Sequence, residues 1–398
     1  MNDPLVEMLS CVTDVRREQA KRYRLANILL FCIFGFLCGA KSYKTLCSFI
    51  EERFALLQAA FPSRMKRAPA PSTLWRIIGL VDGGTLEAVF RRQAAMQHGA
   101  LGGGPGEVVA HDGKSLRGSY DTAQDQKMSQ LFRAFAAGTK IILGHVAIMA
   151  KSNEIPAMQA LVRELGLAGV LCTADAMHCQ IKTIEAVKAS GGEALLQVKG
   201  NQPSLEAALE ALPVRYEPED CHVETGKIRR NRQEKRQTEV FKAGHRLDLP
   251  EWRTDVVEAV RITRTVQRQD VATGWKWRCT HEVAWYASTG QGNSAASYAA
   301  ATRGHWGVEN RVHYVLDVSM HEDASPALCS NCHRRVGGCT GRPAVGIRSL
   351  DRFSRGWHGA AFPTLCCGSL AQLCQDHAPV RHRCGGRVPA AALARDGR

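Results

Sequence analysis

Between Glu107 and Asn201 the apolar residues come in short runs punctuated by Gly, Asp and Asn, and two of those runs stop at an aspartate. Glu107–His111 runs into Asp112, and Gly169–Ala174 runs into Asp175. Runs this short, bounded by turn residues, read as buried strands. Leu131–Ala136, Ile141–Met149 and Ala194–Val198 read the same way, whereas Ile155–Leu165 and Gln180–Ala189 carry helical spacing. Three strands followed by strands alternating with helices predict an α/β domain built on a mixed sheet. Nothing else in the chain constrains it as much. In open α/β sheets, sites form where strands run out and loops and helix termini converge.

The flanking regions differ in character. Residues 1–105 read as a helical domain. Leu25–Ala40 is the most apolar stretch and follows Lys21-Arg22-Tyr23-Arg24. It carries Asn27 and falls short of the roughly 18–20 residues that span a bilayer, so a buried helix is expected and no membrane partner. Ser48–Ala60 and Thr85–His98 are further periodic segments. Between them Phe61–Pro71 combines prolines with Arg64, Lys66 and Arg67, a basic loop that could touch DNA or merely link helices. Ser72-Thr73 offers an N-cap for a helix through Trp75 and Ile78. A glycine-rich linker, Gly99–Gly106, ends the region.

Beyond a short helix at Ser204–Leu212, residues 205–290 turn β-rich. A basic run, Lys227–Arg236, is followed by alternating segments at Glu239–Phe241, Val256–Val266 and Trp275–Ala287. Helical spacing returns over Ala295–Val318. The formal net charge is +14, which permits a polyanionic partner without requiring one. No secretory signal is visible at Met1–Val15, so the thiols are expected reduced and the compartment cytoplasmic.

The acids carry the chemistry. An aspartate just past an apolar strand is held rigidly, and two on adjacent strands can share a hard divalent cation. Each could also simply cap the next turn. Gly113 beside Asp112 allows another segment to approach closely. The third candidate is Glu309. On a helix, His305, Glu309 and His313 stand at i, i+4 and i+8 and share a face, with Trp306 and Asn310 on the neighbouring one. Two histidines at that spacing could alternatively hold zinc, although no third spaced His or Cys is nearby.

At these residues the chain resembles the DDE transposases of bacterial insertion sequences, in the group that includes the H-repeat-associated proteins. The resemblance covers about residues 5–325. It is carried in order by His111-Asp112-Gly113-Lys114-Ser115-Leu116-Arg117-Gly118-Ser119 and Lys151-Ser152-Asn153-Glu154-Ile155-Pro156. Asp175-Ala176-Met177 with Gln180, and Lys199-Gly200-Asn201-Gln202-Pro203, come next. Gly304-His305-Trp306-Gly307-Val308-Glu309-Asn310 follows, through His313 to Leu316-Asp317-Val318.

The resemblance implies a ribonuclease-H-like mixed sheet spanning residues 106–325, with a β-rich insertion at about 205–290. It implies a catalytic and metal-binding triad of Asp112, Asp175 and Glu309. Two Mg²⁺ (or Mn²⁺) ions about 3.5–4 Å apart would activate the attacking oxygen and stabilise the leaving one. Asp112 would bridge them, with Asp175 on one ion and Glu309 on the other. Arg232-Gln233-Glu234-Lys235-Arg236 resembles the family's Gly-Arg-x-Glu-x-Arg element. Asn231 stands where that element has Gly, which argues against a tight turn there. Lys114, Arg117, Lys199, Arg232, Arg236 and Arg303 are expected phosphate contacts, with His305, Trp306 and Asn310 completing the DNA-contacting set.

The implied function is metal-dependent DNA strand cleavage and strand transfer at the ends of an insertion sequence. Terminal repeats and target DNA would be the partners, a homodimer or larger assembly would form on DNA, and the protein would be associated with the nucleoid. The rival readings are a DNA-binding remnant without catalysis and a structure-specific nuclease on the same fold. The resemblance stops after His321-Glu322-Asp323-Ala324-Ser325. Residues 326–398 hold eleven arginines, no lysine and three acids. We expect a frameshifted, disordered tail there and an impaired enzyme, in preference to a zinc knuckle of Cys329, Cys332, His333 and Cys339.

Overall fold

The computed structural model describes residues 4–40, 42–116, 129–148, 153–269 and 274–318. The tail expected to be disordered lies outside the described residues, as does Arg117. The helical region holds α1 (Pro4–Leu9), α2 (Leu25–Leu37), α3 (Tyr43–Glu52), α4 (Phe54–Ala60), α5 (Pro71–Gly79) and α6 (Gly83–Ala100). Every residue of α2 from Leu25 to Phe36 is buried, so the apolar run is a core helix. Among the described residues no helix is long and apolar enough to cross a membrane.

Two expectations need correction here. The segment Ser48–Ala60 belongs to two helices, broken at Arg53, whose φ of −105° and ψ of 12° leave the helical range. Helix α5 starts at Pro71, with Ala70 as N-cap, so Ser72 and Thr73 lie inside it. Proline suits the first helical position because its fixed φ is already helical and no N–H is lost there.

The α/β region follows as β1 (Val108–Leu116), β2 (Ser129–Ala136), β3 (Ile141–Ile148), α7 (Glu154–Leu165), β4 (Leu171–Ala174), α8 (Ile181–Ala189), β5 (Glu193–Val198) and α9 (Pro203–Arg215). Then come β6 (Asp220–Thr225), β7 (Arg232–Lys242), α10 (Pro250–Arg253), β8 (Glu258–Arg268), β9 (Arg278–Ser288), α11 (Ala295–Val308) and α12 (Tyr314–Val318). The nine strands of the described residues form one mixed sheet, in the order β3-β2-β1-β4-β5-β9-β8-β7-β6. Strand β4 pairs parallel with β1 and with β5; the other neighbours are antiparallel. Strands β6–β9 therefore continue the first sheet along its β5 edge.

Helices α6 and α7 pack on β3 and α8 on β5, while α11 crosses β1, β4, β6, β7 and β8. A small core of Leu171, Leu195, Val240, Val260 and Ile262 meets Ala295, Tyr298 and Ala301 of α11. The second half of the basic run is strand: Arg232–Arg236 opens β7. The tight turn before it does form. Arg230 and Asn231 both take positive φ, 48° and 56°, and Arg229 and Arg232 exchange backbone hydrogen bonds of 2.9 and 3.0 Å. Asparagine tolerates this left-handed conformation better than most residues, so the missing glycine is no obstacle.

Candidate active site

The parallel pairing of β1 and β4 brings the two aspartates together. Ala110 pairs with Thr173. Two residues on along each strand stand Asp112 and Asp175, and a two-residue step returns a side chain to the same face. That face is covered by α11, because the Thr173 hydroxyl and Nδ1 of His305 lie 3.1 Å apart in a hydrogen bond. Glu309 comes one helical turn after His305. Asp112, Asp175 and Glu309 consequently line one cavity of about 200 Å³, together with Lys199, His305 and Trp306.

Asp112 is not past the end of its strand as expected. Strand β1 runs on to Leu116, because Gly113 to Leu116 stay paired with Phe132 to Ser129 of β2. Asp175 does lie immediately beyond β4. Helix α11 also changes form at the site, with a π-helical turn over Glu309–His313 before α12. His313 Nδ1 lies 3.6 Å from Asp112 Oδ2, while His305 faces Thr173. The two histidines thus face different partners.

Burial pushes the Asp112 carboxyl up to about 7, helped by the negative charges of Asp175, Glu309 and Glu154 and opposed by a hydrogen bond from the Gly113 backbone. Burial and the nearby Asp175 also raise Glu154. His305 is lowered by burial, partly offset by Asp175. His111 is fully buried, and burial together with the charges of His178 and His305 lowers it to about 3. The acids therefore crowd one another with neutral imidazoles behind them. Carboxylates in that condition accommodate a hard dication, which relieves their repulsion. Among the described residues, no three acid, His or Cys side chains are gathered closely enough to enclose an ion. The donors fit such an ion in hardness and charge.

Glu154 was not singled out in the sequence as a site residue, yet it stands in the first turn of α7 beside both aspartates. A Cβ at position 113 would lie 2.6 Å from its carboxyl carbon, so the close approach allowed by Gly113 is made by Glu154. His178 Nε2 lies 3.8 Å from Asp175 Oδ1 and 4.0 Å from Glu154 Oε2. Asn201 and Gln202 were also missed. Asn201 Nδ2 donates to the Ala176 carbonyl at 2.6 Å, and Gln202 Nε2 to the Cys179 carbonyl at 2.9 Å. They pin the turn that follows Asp175. Only the motif Lys199-Gly200-Asn201-Gln202 marked this loop in the sequence.

The cations expected on phosphate have varied surroundings. Lys199 is exposed at the cavity. Lys114 is mostly buried and paired with Asp317. Arg303 pairs with Glu224. Arg232 and Arg236 both meet Glu234, at 3.0 and 2.6 Å, and Arg264 joins at 3.2 Å. Burial works to raise Glu234, but hydrogen bonds from Arg264 and Arg236 outweigh it and hold the carboxyl at about 2. Trp306 is half exposed at the cavity mouth. Asn310 lies in the π-helical turn next to Glu309.

A mixed sheet brings three acids to one cavity, and a helical region precedes it. The chain belongs to the DDE transposase family: residues 103–332 match the Transposase DDE domain, and residues 6–94 match the DDE_Tnp_1-associated region. It is 29% identical over 342 residues to "Putative transposase YncI" of Escherichia coli O157:H7, covering 84% of each chain. It is 28% identical over 326 residues to "H repeat-associated putative transposase YhhI" of Escherichia coli strain K12, covering 80% of this chain and 83% of the relative.

Proposed function

We propose that this transposase cleaves DNA at the ends of an insertion sequence and joins those ends to target DNA, using divalent cations held by Asp112, Asp175 and Glu309. The observation that carries this reading is the shared cavity of the three carboxylates, with Asp112 pushed up to about 7. Mg²⁺ or Mn²⁺, when bound, supplies activation of the attacking oxygen and charge stabilisation of the leaving one. The chain's own residues do the rest. Asp112 and Asp175 offer hard oxygen donors from adjacent strands, and Glu309 offers another from the helix above. Lys199 at the cavity rim draws in a phosphate. The ring of Trp306 at the mouth gives a nucleotide a surface to stack on. His305, held by Thr173, sets the position of the helix that bears Glu309.

We read residues 106–325 as a ribonuclease-H-like catalytic domain, following a helical domain at 1–105. The strand order β3-β2-β1-β4-β5, three antiparallel strands joined to two parallel ones, supports this. Strands β6–β9 correspond to the β-rich insertion. Assembly on DNA as a homodimer or larger complex would let two element ends react together.

The test is incubation of the purified chain with duplex DNA carrying element ends and Mg²⁺. Cleavage with joining is expected, at a low level in this chain because the family resemblance stops at Ser325. Binding alone would favour an inactive remnant, and cleavage without joining a nuclease. Asp112→Asn and Asp175→Asn keep the side-chain shape but lose the charge that holds cations. Each should lower cleavage by at least about a hundredfold while DNA binding persists. Activity retained by either variant removes that residue from the triad.

A further inference from the structure

The helical region contains an open groove of about 950 Å³ with Arg16, Arg22, Lys66, Arg67 and Arg76 on its walls and Glu51 as the acid among its lining residues. None of those lining residues also lines the carboxylate cavity. Here cations from three separate segments face one channel. Among the described residues, Arg22, Lys66, Arg67 and Arg76 form no salt bridge, although all four are exposed.

The groove is built to hold its charges in place. The loop before α5 is anchored by Phe61, which stacks on Phe34 with ring centroids 5.4 Å apart, and by buried Met65. Gln58 clamps it further: its Nε2 donates to the Met65 carbonyl at 2.7 Å, and its Oε1 accepts from the Ser63 N–H at 2.9 Å. Lys66 and Arg67 therefore project from a fixed backbone.

Arg16 lies at the base and is only 8% exposed. Asp14 takes its Nε and Nη2 at 2.8 and 2.7 Å, and the Tyr23 carbonyl takes Nη2 at 2.7 Å. Its Nη1 is buried without a hydrogen-bond partner. A buried guanidinium nitrogen in that state is costly unless an acceptor arrives. The α5 N-terminus also opens on the groove, with Ala70 giving no side-chain cap, and its dipole favours an anion there.

We infer that this groove is a DNA-backbone site, in which Arg16, Lys66, Arg67 and Arg76 and the α5 N-terminus take the phosphates of a duplex segment. The choice of DNA as the polyanion rests on the transposase reading. The site is distinct from the one where strands are cut.

Fluorescence anisotropy of the full chain with a labelled duplex, at salt from 50 to 300 mM (~0.05–0.3 M), tests it. The triple variant Lys66→Ala, Arg67→Ala, Arg76→Ala removes only exposed side chains, and circular dichroism verifies its fold. A control variant, Arg163→Ala, Lys182→Ala, Arg215→Ala, removes the same charge elsewhere. The groove variant should lower the slope of log affinity against log salt by about two to three, with affinity down about tenfold or more near 0.15 M; the control should change it by less than one. An unchanged slope in the groove variant, or an equal loss in the control, overturns the inference. Failure of the unaltered chain to bind DNA at all overturns both the inference and the transposase reading, whereas binding with an unaffected groove variant overturns the inference alone.

Discussion

At the residue scale, Asp112 is where structure and chemistry meet. Burial pushes its carboxyl up to about 7 in the folded chain, against about 3.9 unfolded. A raised carboxyl pKa means that the folded state holds its proton longer than the unfolded state. The corresponding stability is present below about pH 4 and is lost as pH rises through about 7. A divalent cation bound at this carboxyl would reverse that loss by compensating the ionised form. We therefore expect the metal-free chain to melt at a lower temperature at pH 8 than at pH 5.5. Millimolar Mg²⁺ should raise the pH 8 value by a few degrees and leave an Asp112→Asn variant nearly unmoved. Differential scanning fluorimetry measures this; an equal Mg²⁺ shift in both proteins would detach the cation from Asp112. The aspartates were legible in the sequence because an apolar run ending in an acid is an unusual pattern. Glu154 was not, since an acid in the first turn of a helix is ordinary and only Gly113 across the sheet reveals what it approaches.

At the element scale, most strands and helices of the first half of the sheet were readable from periodicity, and three features were not. Strand β1 continues through Lys114 and Ser115 because β2 keeps pairing with it, and polar residues near a site carry no strand signature. Strand β6 is a largely exposed edge strand with little apolar alternation, so its pairing to β7 supplies what its sequence lacks. The π-helical turn at Glu309–His313 leaves the 3.6-residue rhythm that the helical reading assumed. The loop after β5 was seen as a motif but not as a clamp. Its Asn201 and Gln202 hold the turn after β4, so that the position of Asp175 depends on two segments. Asn201→Ala should lower stability by about 1 kcal/mol and single-turnover cleavage by roughly tenfold, with DNA affinity unchanged. Asn201→Asp, which keeps the shape but cannot donate, should do no better. Weakened DNA binding with normal cleavage at saturating DNA would instead make Asn201 a DNA contact.

At the scale of the whole molecule, the sheet joins two halves across a short seam. Strands β5 and β9 share four paired positions, from Leu195↔Ser288 to Val198↔Trp285, whereas β8 and β9 share eleven. Helix α11 fastens the β9 side of that seam and also carries Glu309's turn. Buried Tyr298 is the fastener: its hydroxyl donates to Glu258 Oε2 at 2.7 Å on β8, and the Ser288 hydroxyl of β9 donates to it at 2.7 Å. The Gly292 N–H satisfies the other Glu258 oxygen at 2.7 Å. Tyr298→Phe preserves the ring but leaves one carboxylate oxygen and one hydroxyl without their partner in a dry core. The expected cost is about 1–3 kcal/mol, seen as a lower urea midpoint. The m-value should stay constant if the two halves unfold together. Because α11 also positions Glu309, cleavage should fall in the variant at temperatures well below its melting point, while loss of a hydroxyl away from the seam, as in Tyr216→Phe on a partly buried ring, should affect neither. A Tyr298→Phe protein with unchanged urea midpoint would mean that the seam is held by the apolar packing of Leu195, Val260 and Ala301 alone.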